Sequence, residues 1–329
     1  MAGDRVGRQR RLTMASSRSA ADGVLVLGSA GFAGRAIVRH LAAGGRPIVA
    51  LGRSERVGRD GAIRRVRGSI EDAGLLTDLL GQCRTVVYAA SVTTPGTSAR
   101  EPGLEVLGNL LPLSRLLELA PAFADRELIY LSSAGAIYGD GADGADEDTA
   151  LRPRSYYGAG KAAAEAFLHA CTATTSWRAV SLRPTNVYGP GQTIGTGFAI
   201  VPTLFGRAID GAPFPIWGDG SSVRDYCHID DLARLVAAIV AAGCPAGFGR
   251  YNVASGHVAS VLELIDACSQ ACGRPIAVER LPPRGVDVAR VAPDGRAAQA
   301  DFGWRATIDL VSGLADTWAW FERDGAAAR

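Results

Sequence analysis

The chain has 329 residues, of which 47% are hydrophobic and 21% are charged, and a formal net charge of +2. This length and balance predict a well-packed globule made of two lobes or of one large α/β unit. The small net charge disfavours nucleic acid as a partner, and the apolar runs are too short for a membrane span.

Two further features of the composition bear on location and on metals. Residues 1–22 are rich in Arg, Ser and Ala but lack the apolar stretch of a secretory signal, so we expect a disordered tail. An organellar transit peptide shares this composition. The six cysteines lack the spacing of a metal site, and we expect free thiols in a reducing compartment, the cytoplasm, with no metal.

A dinucleotide-binding unit is predicted at the start of the fold. An apolar run at 23–27 leads into a glycine turn and then into an amphipathic stretch at 35–43. Glycines let the backbone approach a pyrophosphate, which then lies at the helix N-terminus. The spacing of Gly28, Gly31 and Gly34 is G-x-x-G-x-x-G, not the usual G-x-G-x-x-G, and such turns also close units that bind nothing. The position directly after the first strand favours a dinucleotide.

The end of the second predicted strand, residues 47–51, bears on the choice of cofactor. An acidic residue here would bind the ribose 2′-hydroxyl of NAD, whereas an arginine accommodates the 2′-phosphate of NADP. The strand is followed by Gly52 and Arg53, which favours NADP. The alternative is that Arg53 is one more surface arginine in an arginine-rich chain.

Further strands are predicted at 64–68, 86–90 and 128–131, with helices at 75–80 and 104–119. Alternation of this kind predicts an α/β fold with a Rossmann-type, doubly wound parallel sheet. Ligands bind at the carboxyl ends of such strands, where Ser132 and Ser133 follow the run at 128–131.

The only lysine of the chain, Lys161, follows Tyr157 by four residues on a helix predicted over 156–171. This spacing places both side chains on one face of the helix. An arginine could not replace a compact ammonium beside a phenol. The ammonium and a cationic nicotinamide would favour the phenolate, by about 1.4 kcal/mol per pKa unit. Tyr157 could then take a proton from a substrate hydroxyl while a hydride leaves to the nicotinamide.

Together these motifs resemble the extended short-chain dehydrogenase/reductases, in particular the nucleotide-sugar epimerase/dehydratase family that includes UDP-glucose 4-epimerase. The resemblance covers about residues 23–321. It rests on the glycine turn, Ser-Ser-x-x-x-Ile-Tyr-Gly at 132–139, Tyr157-x-x-x-Lys161, Leu-Arg-Pro-Thr-Asn-Val-Tyr-Gly-Pro-Gly-Gln at 182–192, Trp-Gly-Asp-Gly at 217–220 and Val-Arg-Asp-Tyr at 223–226.

The resemblance implies roles for individual residues. Tyr157 would be the acid/base, Lys161 would also bind the nicotinamide ribose, and Ser133 would orient the sugar where many relatives use a hydroxyl at the position of Ala134. The implied NAD(P) site comprises Gly28, Ala30, Gly31, Phe32, Gly34, Arg53, Ser69, Ile70, Ala89, Ala90, Ser91, Asn109, Ser132, Tyr157, Lys161 and Pro184. The implied substrate ligands, besides Ser133, are Asn186, Arg224 and Arg284 for the diphosphate, Asp287 for the ribose and Trp217 beside the base.

The resemblance also implies an organisation and an activity. Residues 23–183 with 225–256 would bind the dinucleotide, and a smaller C-terminal lobe, 184–224 with 257–323, would bind the nucleoside-diphosphate sugar. The implied enzyme is an NAD(P)-dependent C4 epimerase of a nucleoside-diphosphate hexose that acts through a 4-keto sugar. A self-contained epimerase would hold NAD. Relatives commonly dimerise through two long helices, here 104–119 and 156–171.

Three other activities are weighed against the epimerase. Arg53 favours an NADPH-dependent reductase of a 4-keto-6-deoxy nucleotide sugar. A dehydratase is disfavoured because the strand end at 132–139 lacks an Asp-Glu pair. A redox-sensing protein on the same fold would leave the Tyr157/Lys161 pair without a task.

Overall fold

The computed structural model describes residues 22–194, 199–283 and 288–324. The predicted tail lies outside these residues, apart from Asp22, and so do the predicted substrate ligands Arg284 and Asp287.

The strands, in chain order, are β1 (Gly23–Leu27), β2 (Ile48–Gly52), β3 (Gly58–Asp60), β4 (Ile63–Arg67), β5 (Cys83–Tyr88), β6 (Glu127–Leu131), β7 (Arg178–Pro184), β8 (Asn186–Tyr188), β9 (Phe214–Trp217), β10 (Val223–His228), β11 (Phe248–Val253), β12 (Val258–Ser260), β13 (Val278–Leu281) and β14 (Arg290–Val291). The α-helices are α1 (Phe32–Ala43), α2 (Ala73–Leu80), α3 (Pro95–Arg100), α4 (Pro102–Glu105), α5 (Leu111–Leu117), α6 (Ala134–Ile137), α7 (Tyr156–Thr174), α8 (Ile200–Asp210), α9 (Ile229–Ala242), α10 (Val261–Cys272), α11 (Arg296–Phe302) and α12 (Leu310–Asp324). A π-helix spans Val106–Leu110, and 3₁₀ turns span Ala120–Ala122 and Gly139–Gly141.

One large sheet organises the first part of the chain. Its strand order is β11-β7-β6-β5-β1-β2-β4-β3, and every pairing is parallel except that of β3 with β4. All five residues of β1 are buried, as expected for a central parallel strand. The chain order reverses at β1, so the gap between the ends of β1 and β5 is the place where ligands bind in such sheets.

Helices cover both faces of this sheet, because alternate strand residues point to opposite sides. Val24 and Val26 of β1 pack with α1 and α9, whereas Leu25 and Leu27 pack with α2, α5 and α7. The structure therefore has the doubly wound parallel sheet that the sequence predicts.

The helix predicted over 104–119 is found, but it is not a regular α-helix throughout. The segment is helical without a break from 102 to 117, as α4, the π-helix and α5 in succession. Pro112, at the start of α5, has no N–H to bond the carbonyl four residues earlier, which suits the change from π-helix to α-helix at this point.

The remaining elements pack around a separate hydrophobic core. It is formed by α8, α10 and α12 with β9 and β10, and includes Phe205, Leu264 and Trp318. β10 pairs with β8, β12 and β14, and β9 pairs with β13. Within the described ranges no helix is long and apolar enough to cross a membrane, and no three His, Cys, Asp or Glu side chains are grouped to hold a metal.

Candidate active site

The carboxyl ends of five neighbouring parallel strands bring the predicted cofactor residues to one edge of the sheet. Gly28 follows β1, Arg53 follows β2, Ala89 and Ala90 follow β5, and Ser132 follows β6. Pro184 ends β7. The structure therefore brings these predicted residues together, and their role in binding the cofactor remains a prediction.

The glycine turn is shaped for a close approach of backbone to ligand. Gly28 has a φ of +81°, and a Cβ added there would lie 2.7 Å from the Ala90 backbone nitrogen. A Cβ on Gly34 would lie 2.2 Å from the Gly28 carbonyl oxygen, so α1 packs directly on the turn. Gly31 caps α1 without a side-chain hydrogen bond, which leaves first-turn N–H groups for an anion. These residues fit the pyrophosphate of NAD(P).

A buried acidic residue, which the sequence analysis did not single out, lies next to Arg53. The Glu55 carboxylate is 6% exposed, and it accepts hydrogen bonds from Ser29 Oγ at 2.5 Å and from Arg65 Nη1 at 3.2 Å. These two partners hold the carboxylate inside the protein, with one donor on each of its oxygens. Arg53 is exposed at the same edge. The strand-end pattern considers the residue that directly follows Gly52. Glu55 comes two residues after that position, so the pattern did not identify this acid.

The side chains of Ser133, at the end of β6, and Tyr157, on α7, approach each other, and the Ser133 hydroxyl acts as a hydrogen-bond partner that lowers the pKa of the phenol. The approach is close because α7 carries a glycine at this point: a Cβ on Gly158 would lie 2.2 Å from the Ala136 carbonyl oxygen. Ala134, at the position where relatives commonly have the hydroxyl, is fully buried. The geometry therefore places Ser133, and not residue 134, beside the phenol.

The pKa of Tyr157 is raised to about 12, first by burial and then by the Glu105 carboxylate, while the hydrogen bond from Ser133 acts in the opposite direction. The sequence-based expectation of a favoured phenolate is therefore not met by the protein alone. Loss of water around the phenol is the largest cause. A bound cationic nicotinamide would act in the opposite direction.

Lys161 lies beneath this pair, 4% exposed. Its ammonium donates to the Leu131 carbonyl at 2.8 Å and to the Tyr130 hydroxyl at 3.2 Å, and Nζ is 5.6 Å from the centroid of the Tyr157 ring. An ammonium has three N–H donors, so one remains for a ligand or for the Tyr157 oxygen. Burial lowers the pKa of Lys161 to about 8, while the Glu105 and Glu165 carboxylates oppose that change.

Known proteins share this arrangement of sequence and fold. Residues 24–254 match the sequence profile of the NAD dependent epimerase/dehydratase family. The chain belongs to this family. A UDP-glucose 4-epimerase of Mycolicibacterium smegmatis is 35% identical over 310 residues, which cover 90% of this chain and 97% of that protein.

Two further relatives extend the comparison. The Thermus thermophilus UDP-glucose 4-epimerase in complex with NAD superposes with a TM-score of 0.81 and 30% identity, covering 91% of this chain and 99% of that one. A dTDP-4-dehydro-6-deoxy-D-allose reductase of a Streptomyces species is 29% identical, covering 94% of this chain and 98% of that protein. Members of the family are NAD(P)-dependent nucleotide-sugar epimerases, dehydratases and reductases of the short-chain dehydrogenase type. The predicted family, fold and dependence on NAD(P) are thus confirmed.

Several of the predicted cofactor residues in this family member are already engaged within the protein. The Asn109 amide accepts from the Val92 N–H at 2.9 Å and donates to Thr93 at 2.6 Å. Ser91 Oγ donates to the Thr93 carbonyl at 3.3 Å. Ser132 Oγ, in contrast, is buried and has no hydrogen-bond partner among the described residues, so a ligand could supply one.

The predicted substrate residues lie in and beside the smaller part of the fold. Asn186 Nδ2 donates to the Asp225 carbonyl at 3.0 Å, and Arg224 Nη1 donates to the Val223 carbonyl at 2.8 Å. Trp217 ends β9 with 39% of its surface exposed. The roles of these residues remain predictions.

Proposed function

We propose that this enzyme interconverts the C4 epimers of a nucleoside-diphosphate hexose, as UDP-glucose 4-epimerase does, through a transient 4-keto sugar. The observation that carries the proposal is the buried Lys161 ammonium beside the Tyr157 ring, at the edge of the sheet where the glycine turn fits NAD(P). The family and its curated epimerases support it.

The proposed reaction assigns one task to each side chain. Tyr157 takes the proton of the C4 hydroxyl and later returns a proton to the 4-keto oxygen. Ser133 hydrogen-bonds the same region and orients the sugar, and Lys161 supplies a fixed positive charge near the phenol. NAD(P) held at the glycine turn would supply the hydride chemistry at C4, as acceptor in the oxidation and as donor in the return.

Dehydration of the sugar is less well supported. Elimination of water needs an acid and a base near the hexose, in addition to the phenol. The helix that follows Ser133, α6, consists of Ala134, Gly135, Ala136 and Ile137, none of which carries a titratable group. Asp140, the next acidic residue, is exposed and paired with Arg154.

A reductase is the second candidate, and the cofactor edge favours it. Arg53 is exposed where a 2′-phosphate would lie, and the neighbouring carboxylate of Glu55 is held by Ser29 and Arg65. Such an edge suits NADP, which a net reductase consumes. The reaction would then be NADPH-dependent reduction of a 4-keto-6-deoxy nucleotide sugar.

One experiment separates the two. The purified protein is denatured, any released dinucleotide is identified, and the native protein is incubated with UDP-glucose or dTDP-glucose without added cofactor. We expect NAD or NADP to be released and the C4 epimer to appear by NMR. A protein that is isolated without dinucleotide and turns over only with added NADPH and a 4-keto-6-deoxy sugar would establish the reductase instead.

The enzyme is further proposed to act as a homodimer. The segment from α4 to α5 and the outer face of α7 expose large apolar side chains: Leu104, Val106, Leu107, Leu111, Tyr156 and Phe167. Covering such a surface with a second copy would remove it from water. The segment and α7 pack against each other within one subunit, so their exposed side chains can form one patch.

A further inference from the structure

A buried carboxylate that the proposed reaction does not use lies beside the Tyr157/Lys161 pair. Glu105, the last residue of α4, is 3% exposed. Its hydrogen-bond donors are the Thr93 hydroxyl and the Asn109 amide, the latter at 2.9 Å. Both donors are neutral, and no salt bridge to Glu105 is found among the described residues. A buried carboxylate without a paired cation is costly, so its retention calls for an explanation.

Helix α7 is built to receive this carboxylate. A Cβ added at Gly160 would lie 2.4 Å from Glu105 Oε1 and from its Cγ, so only a glycine leaves room for it. A glycine inside a helix costs about 1 kcal/mol relative to alanine. Gly160 directly precedes Lys161, and the carboxylate therefore meets α7 at the turn that carries the ammonium.

Three titratable groups are affected by the charge of Glu105: Tyr157 and Lys161 of α7, and Tyr130 of β6. The Glu165 carboxylate of α7 acts on Lys161 as well. Burial lowers the pKa of Lys161 to about 8, and Glu105 is the first of the two carboxylates that oppose this. The same negative charge adds to burial in raising the pKa values of Tyr157 and Tyr130. The Glu105 charge therefore acts in the same direction on Tyr157 and Lys161, because it favours the protonated form of both the phenol and the amine.

We propose that Glu105 is a positioning residue that keeps Lys161 in its charged, ammonium form at the working pH. This inference rests on the proposed function, since the proposed reaction is what needs the positive charge of Lys161 beside Tyr157. It also implies that the pair holds both protons until a bound cationic nicotinamide favours the phenolate, which can then take the proton of the C4 hydroxyl. The carboxylate acts through Lys161 and need not touch the substrate.

The single lysine of the chain makes a direct test possible. Lysine labelled with ¹³C at Cε gives one side-chain resonance in the full-length protein, and its titration reports the protonation of Lys161 alone. Replacing Glu105 by the isosteric Gln removes the charge and keeps hydrogen-bonding atoms. We expect the midpoint in Glu105→Gln to fall by about one pH unit, because the ammonium loses a favourable charge. Glu105→Asp should restore most of the wild-type midpoint.

A matched control is Glu118→Gln, in which the lost carboxylate is exposed and paired with Arg115; its midpoint should not move. If Glu105→Gln does not fold, the smaller Glu105→Asn must show the same fall. An unchanged or higher midpoint in a folded, neutral variant would overturn the inference. The titration needs no substrate, so failure of the proposed epimerisation would leave it interpretable. In an active enzyme, the pKa of the alkaline limb of the kcat/KM pH profile should fall together with the midpoint of the lysine titration.

Discussion

The Lys161 ammonium occupies a space bounded by the Leu131 carbonyl and the Tyr130 hydroxyl, at 2.8 and 3.2 Å. A guanidinium is larger and planar, so Arg at this position cannot make both contacts without moving β6 or Tyr157. We expect Lys161→Arg to lower turnover by roughly 10²-fold or more. The measurement is steady-state turnover of the substrate identified for the wild type.

The control for that substitution is the reverse exchange at an exposed site. Arg59 lies on the edge strand β3 and is exposed, so Arg59→Lys should leave both turnover and stability unchanged. Equal activity of wild type and Lys161→Arg would show that no compact ammonium is needed beside the phenol.

The sequence predicted the placement of residues where a motif fixes the spacing. Tyr157 and Lys161 lie one turn apart on α7, and Ser132 and Ser133 directly follow β6, because strand, turn and helix spacings are local properties. Glu55 and Glu105 were missed. Each is distinguished only by burial and by partners distant in sequence, such as Thr93 for Glu105. The one local signal was Gly160, a glycine in a helix with no turn to explain it.

At the scale of elements, the packing of α7 against the end of β6 depends on Gly158. A Cβ there would lie 2.2 Å from the Ala136 backbone oxygen, which cannot swing aside. We expect Gly158→Ala to cost about 1–3 kcal/mol in the free energy of unfolding and to separate Tyr157 from Ser133. Urea unfolding and turnover should both reveal the change.

A helical glycine without neighbours provides the comparison. Nothing lies within 4 Å of a Cβ at Gly103 of α4, so Gly103→Ala should be neutral or stabilising by up to about 1 kcal/mol. If both alanine variants were equally stable and active, close packing of α7 on the strand end would not position the phenol.

Elements were likewise predicted where the cause is local in the sequence and missed where it lies far along the chain. The apolar run at 23–27 became β1 without a change of bounds, because five consecutive buried residues suit a central parallel strand. The strands β9, β13 and β14 carry little pattern of their own and pair with segments far along the chain, so single-sequence reasoning did not find them.

At the scale of the whole molecule, the exposed apolar patch predicts association of two copies. Leu107 lies in the π-helix with 61% of its surface exposed. A carboxylate there would have to be buried in the dimer, so we expect Leu107→Asp to shift the protein to monomers. Sedimentation velocity measures the result. Val311, 70% exposed on α12, supplies the control, and Val311→Asp should sediment as the wild type does. A wild-type monomer at assay concentrations would contradict the dimer.

The central claim concerns one oxygen atom, the phenol of Tyr157. Tyr157→Phe removes that atom and keeps the ring that packs over Lys161, so the fold and the cofactor site should remain intact. The most direct measurement is the rate of C4 interconversion in this variant beside its affinity for dinucleotide. We expect the rate to fall by roughly 10²–10⁴-fold, with dinucleotide affinity changed only a few-fold. Interconversion at the wild-type rate would contradict the account.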